Sequence, residues 1–282
     1  MTRRAGVLGH PISHSLSPVL HRAAYAALDL DWQYDAYDVP SGGLADFLRT
    51  VDREWAGLSL TMPLKVEAIA LMDFVEPLAK TLGVINTVLV GGRDATLQWV
   101  GANTDVHGIV QALGEAGVTR IDSATVLGGG ATAISAVAAL GQLGCTRPVV
   151  AVRSRGRAGG LIRASTAMGI APTFLDLENV QALVPALRSS DVVVSTIPAD
   201  AGESLSLSIG EHGMAVQGTL LDVVYSPLVT PLAQEWKRWG GHTVGGERML
   251  LHQASEQVRL MTGLPAPVES MNAALAAVLP SS

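Results

Sequence analysis

Four short segments combine hydroxyl, amide and charged side chains in a chain that is otherwise strongly apolar. They are SHSLSP at 13–18, SLTMPLK at 59–65, NT at 86–87 and NTD at 103–105. Each segment alone is typical of a helix cap or a turn. Four of them together indicate a site for a ligand that carries several hydroxyl groups.

Lys65 and Asp105 are the charged residues in these segments that could do chemistry. Reduction of a ketone by hydride transfer creates an alkoxide, and a lysine beside a carboxylate can protonate it and stabilise the developing negative charge. We expect Lys65 in the first turn of a helix, where the helix dipole disfavours a cation. This unfavourable position favours a functional lysine over an ordinary surface one.

A glycine-rich turn predicts a dinucleotide site. GGGATA at 128–133 matches G-x-G-x-x-A and lies between a predicted strand and a predicted helix. Glycines allow a tight turn and close approach of a pyrophosphate, and the helix N-terminus supplies N–H donors. This context favours a cofactor site over a turn without a ligand. The predicted cofactor-binding residues here are Gly128, Gly129, Gly130, Ala131, Thr132 and Ala133.

The segment RSRGR at 153–157 follows the next predicted strand. An NAD site usually has Asp or Glu at this point to bind the ribose 2′-hydroxyl. No acid is present, and arginines suit the 2′-phosphate of NADP. We therefore predict NADP, held by Arg153 and Arg157 with help from Ser154; the alternative is a solvated basic cluster on a loop.

Short apolar runs alternate with amphipathic ones, which predicts an α/β protein with mainly parallel strands. Ser17 is expected to cap a helix that begins at Pro18. Strands are predicted at 5–8, 33–39, 57–60, 124–127, 148–152, 191–195 and 219–223. Helices are predicted at 18–28, 43–51, 65–72, 131–143, 231–239, 247–261 and 267–278.

The composition excludes several classes of protein. In 282 residues, 48% are hydrophobic and 16% charged, and the net charge of -6 argues against a nucleic-acid partner. The single cysteine, Cys145, rules out an intrachain disulfide, fits a reducing cytoplasm and is expected to be buried. The start has too short an apolar stretch for a signal peptide. No histidines show metal-ligand spacing, so no metal site is predicted.

The uncharged stretch 123–146 has the length of a membrane span. Its three consecutive glycines favour a buried strand, a turn and a buried helix instead. We therefore expect no membrane partner.

The motifs together resemble the shikimate dehydrogenase family over residues 4–275. The matching segments are GHPISHSLSPVLH, LSLTMPLK, GVINTVL, GANTDVHGI, VLGGGATA, DVVYSPLVTPL and GGERMLLHQA, in the order and at the spacing of that family.

The resemblance implies a two-domain α/β architecture. An N-terminal α/β substrate domain (1–103) is completed by C-terminal helices (241–282), and a Rossmann-like NADP-binding domain (104–240) is inserted between them. It also implies NADPH-dependent reduction of 3-dehydroshikimate to shikimate, on the route to chorismate and the aromatic amino acids.

Site residues follow from the resemblance position by position. Lys65 and Asp105 match the catalytic pair, and Ser15, Ser17 and Tyr225 match residues at the substrate carboxylate. The ring hydroxyls are expected to meet Thr61, Lys65, Asn86, Asp105 and Gln253, and Ser59 is a further expected substrate-binding residue. Gly246 and Met249 match residues that line the nicotinamide, and Thr196 and Val223 complete the expected cofactor set.

Three positions depart from the family pattern. Ser59 stands where many members have Asn, which bears on the substrate. Val152 replaces the Asn of an Asn-Arg-Thr motif, and the STIP segment at 195–198 replaces the usual Asn-Ala-Thr-Ser. The last two bear on cofactor affinity, and none touches Lys65 or Asp105.

Alternatives stay open at this point. They are a quinate or aminoshikimate dehydrogenase, a non-catalytic protein that binds NADP or a shikimate-like ligand, and another Rossmann enzyme such as a folate-linked dehydrogenase. Arg153 disfavours an NAD-preferring quinate enzyme, and the intact Lys65 and Asp105 disfavour a purely binding protein. A monomer or a homodimer is expected.

Overall fold

The computed structural model describes residues 2–92 and 96–280. Two compact units divide the chain: Met1–Gly108 with Leu250–Ser282, here called the first unit, and Ile109–Met249, the second unit. The domain limits expected from the motifs, 1–103, 104–240 and 241–282, stay a prediction.

The N-terminal part of the first unit alternates strands and helices. In chain order it contains β1 (Arg3–Gly9), α1 (Ser17–Ala27), β2 (Trp32–Asp38), α2 (Leu44–Leu48), β3 (Trp55–Leu60), a 3-10 helix (Glu67–Leu71), β4 (Phe74–Val75), α3 (Pro77–Leu82), β5 (Thr87–Gly91) and β6 (Gln98–Ala102).

The first sheet has the order β2-β1-β3-β5-β6-β4. β1 is parallel to β2 and β3, whereas β5 is antiparallel to both β3 and β6. The prediction of mainly parallel strands is therefore confirmed for the pairs described, with the two pairs that involve β5 as the exceptions. β5 and β6 follow each other closely in the chain, and a connection this short has no room for the crossover that a parallel pair requires.

Local sequence sets the limits of α3. Glu76 caps its start, because the carboxylate accepts hydrogen bonds from Leu78 N at 3.1 Å and Ala79 N at 3.0 Å. Pro77 suits the first helical position, and Gly83 ends the helix at a φ of 67°, which L side chains rarely adopt. This turn leads directly into Asn86.

The expected cap of α1 is wrong. Leu16 precedes the helix and no side chain caps it; Ser17 is its first residue, with Pro18 next. Ser15 Oγ instead accepts a hydrogen bond from Ser17 N at 3.3 Å. A residue already inside the helix cannot fold its hydroxyl back onto the first free N–H groups.

The helix predicted at 65–72 is also shorter than expected. Its regular part is the 3-10 helix Glu67–Leu71, so Lys65 lies in the turn before it rather than in a first helical turn. The argument from the helix dipole therefore does not apply to Lys65.

α4 (Asp105–Glu115) leads from the first unit into the second. The second unit continues with β7 (Ala124–Leu127), α5 (Ala131–Gln142), β8 (Val149–Val152), a 3-10 helix (Arg155–Ala158), α6 (Gly159–Ala167), β9 (Thr173–Asp176), α7 (Val180–Ser189), β10 (Val192–Ser195), α8 (Ala199–Gly210), β11 (Thr219–Asp222), α9 (Pro231–Arg238) and β12 (His242–Val244).

The second sheet is entirely parallel, with the order β12-β11-β10-β7-β8-β9. β7 and β10 are buried along their whole length, as expected for parallel strands covered on both faces. The chain runs outward from β7 in one direction and from β10 in the other. This is the strand order of a Rossmann fold, and it confirms the predicted fold class.

Two C-terminal helices, α10 (Gly246–Thr262) and α11 (Val268–Val278), complete the chain. Residues of α10 and α11 join an apolar cluster with α1 and one face of β1, exemplified by Leu251, Leu275, Leu20 and Val7. A second cluster, which includes Leu8 and Leu44, packs α2 and α3 on the opposite face. The first sheet is thus covered on both faces.

The stretch 123–146 forms β7, a glycine turn and α5, as predicted. Within residues 2–92 and 96–280, no helix combines the length and the apolar character that crossing a bilayer would require. Cys145 is buried and has a free thiol, as expected.

Candidate active site

Lys65 and Asp105 form an ion pair in the interior of the first unit. Lys65 Nζ donates to Asp105 Oδ2 at 2.6 Å, and the two side chains are 12% and 3% exposed. Asp105 is the first residue of α4, where the positive end of the helix dipole favours a carboxylate. The two charges predicted to act together therefore do meet.

Asn86 holds the other oxygen of the same carboxylate. Its Nδ2 donates to Asp105 Oδ1 at 2.8 Å and to Thr104 Oγ1 at 2.8 Å. Its Oδ1 accepts from Thr104 N at 2.7 Å. Because Thr104 N can only donate and the carboxylate can only accept, these contacts fix the orientation of the Asn86 amide.

Gln253, on α10, also lies close to Asn86. Gln253 Oε1 lies 3.3 Å from Asn86 Nδ2, and its own Nε2 donates to Leu250 O at 3.0 Å. The structure therefore brings together four of the predicted site residues, Lys65, Asn86, Asp105 and Gln253.

Ser59 has its hydroxyl turned into a buried network. Ser59 Oγ accepts from the Tyr34 phenol at 2.6 Å and donates to Gln257 Oε1 at 2.7 Å. Its role as a substrate contact stays a prediction. Although serine is shorter than the asparagine that many family members have here, its hydroxyl finds a hydrogen-bond partner in both Tyr34 and Gln257.

The serines expected at the substrate carboxylate differ in their surroundings. Ser17 is 5% exposed and hydrogen-bonds Tyr34, whereas Ser15 is only half-buried. Thr61 is half-buried in the turn after β3, where its backbone N–H donates to Leu8 O at 2.9 Å. Within the described part of the chain, no side-chain hydrogen bond joins Thr61 to Lys65.

Tyr225 lies in the second unit, in the loop after β11. Asp222, at the end of that strand, is 4% exposed and accepts from Thr230 Oγ1 at 2.6 Å. Burial raises the pKa of the Asp222 carboxyl, and the hydrogen bonds from Thr230 and Val224 oppose the shift. The hydrogen bond between Thr230 and Asp222 thus joins the two ends of the loop that carries Tyr225.

The predicted cofactor residues gather at one edge of the second sheet. Since all six strands are parallel, the residues that follow them lie at the same edge. Gly128 follows β7 and Thr196 follows β10, the two neighbouring strands from which the chain runs in opposite directions. This is the position at which open α/β sheets bind their ligands.

The three glycines of the turn differ in how closely other residues approach them. Gly128 has a φ of 113°, and a Cβ there would lie 2.3 Å from Thr196 Oγ1. A Cβ on Gly129 would lie 2.9 Å from Val152 Cγ1, so Val152 fills the space beside the turn. Gly130 has no atom within 4 Å of such a Cβ. It faces open space at the start of α5, whose first N–H groups have no side-chain cap among the described residues.

Arg153, Ser154 and Arg157 are exposed after the end of β8. Arg157 N donates to Ser154 O at 3.1 Å, which shapes the loop. Arg155 is occupied elsewhere, because its guanidinium carbon lies 5.3 Å from the centroid of the Phe174 ring. Both arginines assigned to the 2′-phosphate are therefore available to solvent.

The residues expected at the nicotinamide lie at the start of α10. A Cβ on Gly246 would lie 2.4 Å from Val223 O, so helix and loop approach closely only because residue 246 is glycine. Met249, one turn later, is 6% exposed. Burial raises the pKa of the Glu247 carboxyl in the same turn.

Gln257 is the residue of this region that the sequence did not single out. It is 1% exposed and contacts Ser59, Asn86 and Thr87. Its position four residues after Gln253 on a helix was the available signal, because residues at that spacing share one face.

Family models match both ends of the chain. The model described as "Shikimate dehydrogenase substrate binding domain" matches residues 7–88, and "Shikimate 5'-dehydrogenase C-terminal domain" matches residues 246–276. Among curated relatives, the "Shikimate dehydrogenase (NADP(+))" of Methanosarcina mazei is 37% identical over 272 residues, which cover 94% of this chain and 95% of that protein.

Solved structures agree with this match. The shikimate dehydrogenase of Mycobacterium tuberculosis superimposes with a TM-score of 0.84 and 39% identity, covering 98% of this chain and 99% of that one. The enzyme of Thermus thermophilus, solved in complex with NADP(H) and shikimate, gives 0.78 and 31%, covering 98% and 100%. The chain belongs to the shikimate dehydrogenase family.

Proposed function

We propose that this protein is an NADP-dependent oxidoreductase that reduces the C3 ketone of 3-dehydroshikimate to the alcohol of shikimate. The observation that carries the proposal is the Lys65–Asp105 contact at 2.6 Å, in an interior where both side chains are largely shielded from water. In the family this reaction serves the synthesis of aromatic amino acids through chorismate.

Lys65 Nζ holds the proton that the reaction needs. Reduction places negative charge on the former carbonyl oxygen, and an ammonium group beside that oxygen stabilises the charge and neutralises it by proton transfer. Asp105 Oδ2 orients the ammonium group, and Asn86 orients Asp105.

The residues at the edge of the second sheet fit NADP. The open space at Gly130 and the uncapped start of α5 suit a pyrophosphate, and exposed Arg153 and Arg157 with Ser154 suit a 2′-phosphate. Thr196, Val223, Gly246 and Met249 would flank the nicotinamide side. When bound, NADPH supplies the hydride.

The substrate would be held by polar side chains of the first unit. Ser15 and Ser17 would bind the carboxylate. Asn86 and Gln253, with Ser59 and Thr61, would bind the ring hydroxyls. Gln253 Oε1, 3.3 Å from Asn86 Nδ2, is an acceptor for such a hydroxyl, since the two protons of Asn86 Nδ2 already go to Thr104 Oγ1 and Asp105 Oδ1.

The proposal includes a cytoplasmic protein that acts as a monomer or a homodimer. The single buried thiol of Cys145 needs no oxidising compartment. The net charge of -6 does not favour a nucleic-acid partner.

The test is the absorbance of the reduced nicotinamide when purified protein is given shikimate with NADP or with NAD. We expect fast reduction of NADP with shikimate, and slow reduction with NAD or when quinate replaces shikimate. Faster turnover of quinate would move the assignment to a quinate dehydrogenase. A folded protein that reduces neither cofactor would overturn the proposal.

A further inference from the structure

Gln257 connects α10 to the site through both ends of its side-chain amide. Its Nε2 donates to Asn86 O at 3.1 Å and to Thr87 Oγ1 at 3.0 Å. Its Oε1 accepts from Ser59 Oγ at 2.7 Å. All four residues are at most 4% exposed, so water cannot replace these contacts.

The orientation of this amide has one solution. Asn86 O is a carbonyl and can only accept, so the NH₂ end of Gln257 must face it. The Tyr34 phenol donates to Ser59 Oγ at 2.6 Å, which leaves the Ser59 proton for Gln257 Oε1. Burial raises the pKa of Tyr34 well above its ordinary value, so the phenol keeps its proton and remains the donor.

A chain of hydrogen bonds, in which each group donates to the next, continues from Gln257 to the reacting pair. Thr87 Oγ1 receives a hydrogen bond from Gln257 and donates its own proton to Asn86 Oδ1 at 2.9 Å. Asn86 Nδ2 in turn donates to Asp105 Oδ1, and Lys65 holds Asp105 Oδ2. Gln257 therefore fixes Asn86 at its backbone carbonyl and, through Thr87, at its side chain.

We propose that Gln257 is a positioning residue, which sets the place of Asn86 and through it the direction of the Asp105 carboxylate toward Lys65. This inference rests on the proposed function for its consequence in catalysis, but not for its geometry. A buried polar network in which every donor and acceptor is paired admits one arrangement, because any other would leave a buried donor or acceptor without a partner.

The substitution Gln257→Met tests this directly, since it keeps the volume and removes both ends of the amide. We expect kcat for shikimate oxidation to fall roughly 10- to 100-fold, because a small misplacement of the reacting groups causes a loss of rate of this size. KM should change by less than about threefold. A merely structural role would lower the melting temperature and leave kcat per folded enzyme unchanged, and that result would overturn the inference.

Tyr25→Phe is the matched control. It removes a buried hydroxyl that lies 3.3 Å from His21 Nδ1 and leaves the bonds of Gln257 to Ser59, Asn86 and Thr87 in place. We expect it to lower the melting temperature with kcat nearly unchanged. A loss of kcat equal to that of Gln257→Met would show that general loosening, rather than the position of Asn86, is responsible.

A crystal structure of Gln257→Met separates this inference from the proposed function. We expect the distance between Asn86 Nδ2 and Asp105 Oδ1, 2.8 Å here, to lengthen whether or not the protein acts on shikimate. An unchanged distance would overturn the inference, whereas an inactive wild-type protein would overturn only the proposed function. Should Gln257→Met fail to fold, Thr87→Val, which also removes a link to Asn86, is expected to give the same results.

Discussion

Lys65 and Asp105 are separated by 40 positions in the sequence, yet their charged groups lie 2.6 Å apart. The pair is set by two different features: Lys65 comes from the turn after β3, and Asp105 is the first residue of α4. A buried pair of this kind is weak evidence for stability, because desolvation offsets most of the attraction. Its burial is better explained by the chemistry that it can perform.

Replacing Lys65 with alanine should abolish most of the turnover. We expect kcat to fall by about 10²- to 10⁴-fold, the usual contribution of a general acid, with a much smaller change in KM. Steady-state kinetics with shikimate and NADP would measure both. Lys80→Ala is the matched control, because Lys80 is exposed on α3, and it should be fully active. Equal losses in kcat and in substrate affinity would argue against a catalytic lysine.

Replacing Arg153 with alanine should weaken the preference for NADP. Loss of a charge-assisted hydrogen bond costs roughly 1.5–3 kcal/mol, so the KM for NADP should rise about 10- to 100-fold while that for NAD hardly changes. Arg155→Ala serves as the control, since its guanidinium lies over the Phe174 ring. If Arg155→Ala lost the preference and Arg153→Ala kept it, the assignment of the 2′-phosphate contact would be wrong.

Adding a methyl group to Gly130 should separate cofactor binding from folding. A Cβ there meets nothing within 4 Å, so the melting temperature of Gly130→Ala should stay close to that of wild type. The same methyl group would occupy the space proposed for the pyrophosphate, and calorimetric titration with NADP should show a large loss of affinity. Unchanged affinity would place the pyrophosphate elsewhere.

Gly128→Ala gives the contrasting case. Its φ of 113° and a Cβ only 2.3 Å from Thr196 Oγ1 predict strain in the folded state itself. We expect a lower melting temperature before any cofactor is added.

His21 should make the first unit sensitive to mild acid. Burial lowers the pKa of His21 to about 3, and the hydrogen bond with Gln257 opposes this only in part. The unfolded chain takes up a proton below its pKa of about 6.5, which the native protein does not. The free energy of unfolding should therefore fall by about 1.4 kcal/mol between about pH 7.5 and about pH 5.5 from this residue alone.

Urea unfolding of wild type and of His21→Phe at both pH values would measure this contribution, since all other titrating groups are common to the two proteins. The phenyl ring can keep the stacking on Tyr34, whose ring lies 3.9 Å from that of His21. Parallel pH dependence in the two proteins would show that His21 does not contribute as expected.

The sequence predicted only part of the parallel half of the fold, because buried apolar strands and glycine turns are local signals. The strands β9 and β12 and the helices α6, α7 and α8 were not predicted. The limits of β7, α5, β8 and β10 lie within a residue or two of those expected. The Lys65–Asp105 pair and the glycine turn were found from residue types in the same way. The resemblance then supplied the roles that local signals could not.

What the sequence missed depends on long-range contacts. The antiparallel β5 is mixed in its burial, and its pairing with β3 and β6 defines it as a strand. Ser17 looked like a cap because Pro18 follows it, but the helix starts one residue earlier. Gln257 carries no local signal beyond its spacing from Gln253, since its partner Ser59 is 198 positions away.

The contrast between the exposed loop at 153–157 and the enclosed network around Gln257 affects how this protein can change during evolution. Substitutions in the exposed loop leave the packing of β8 unchanged, so single substitutions can alter the preference for NADP or NAD. Each side chain of the network supplies a hydrogen-bond partner to its neighbours, so a substitution at one position requires a simultaneous substitution at another. The preference for a cofactor is therefore expected to diverge readily among descendants of this chain, whereas its reacting groups are expected to persist or to be exchanged only in correlated sets.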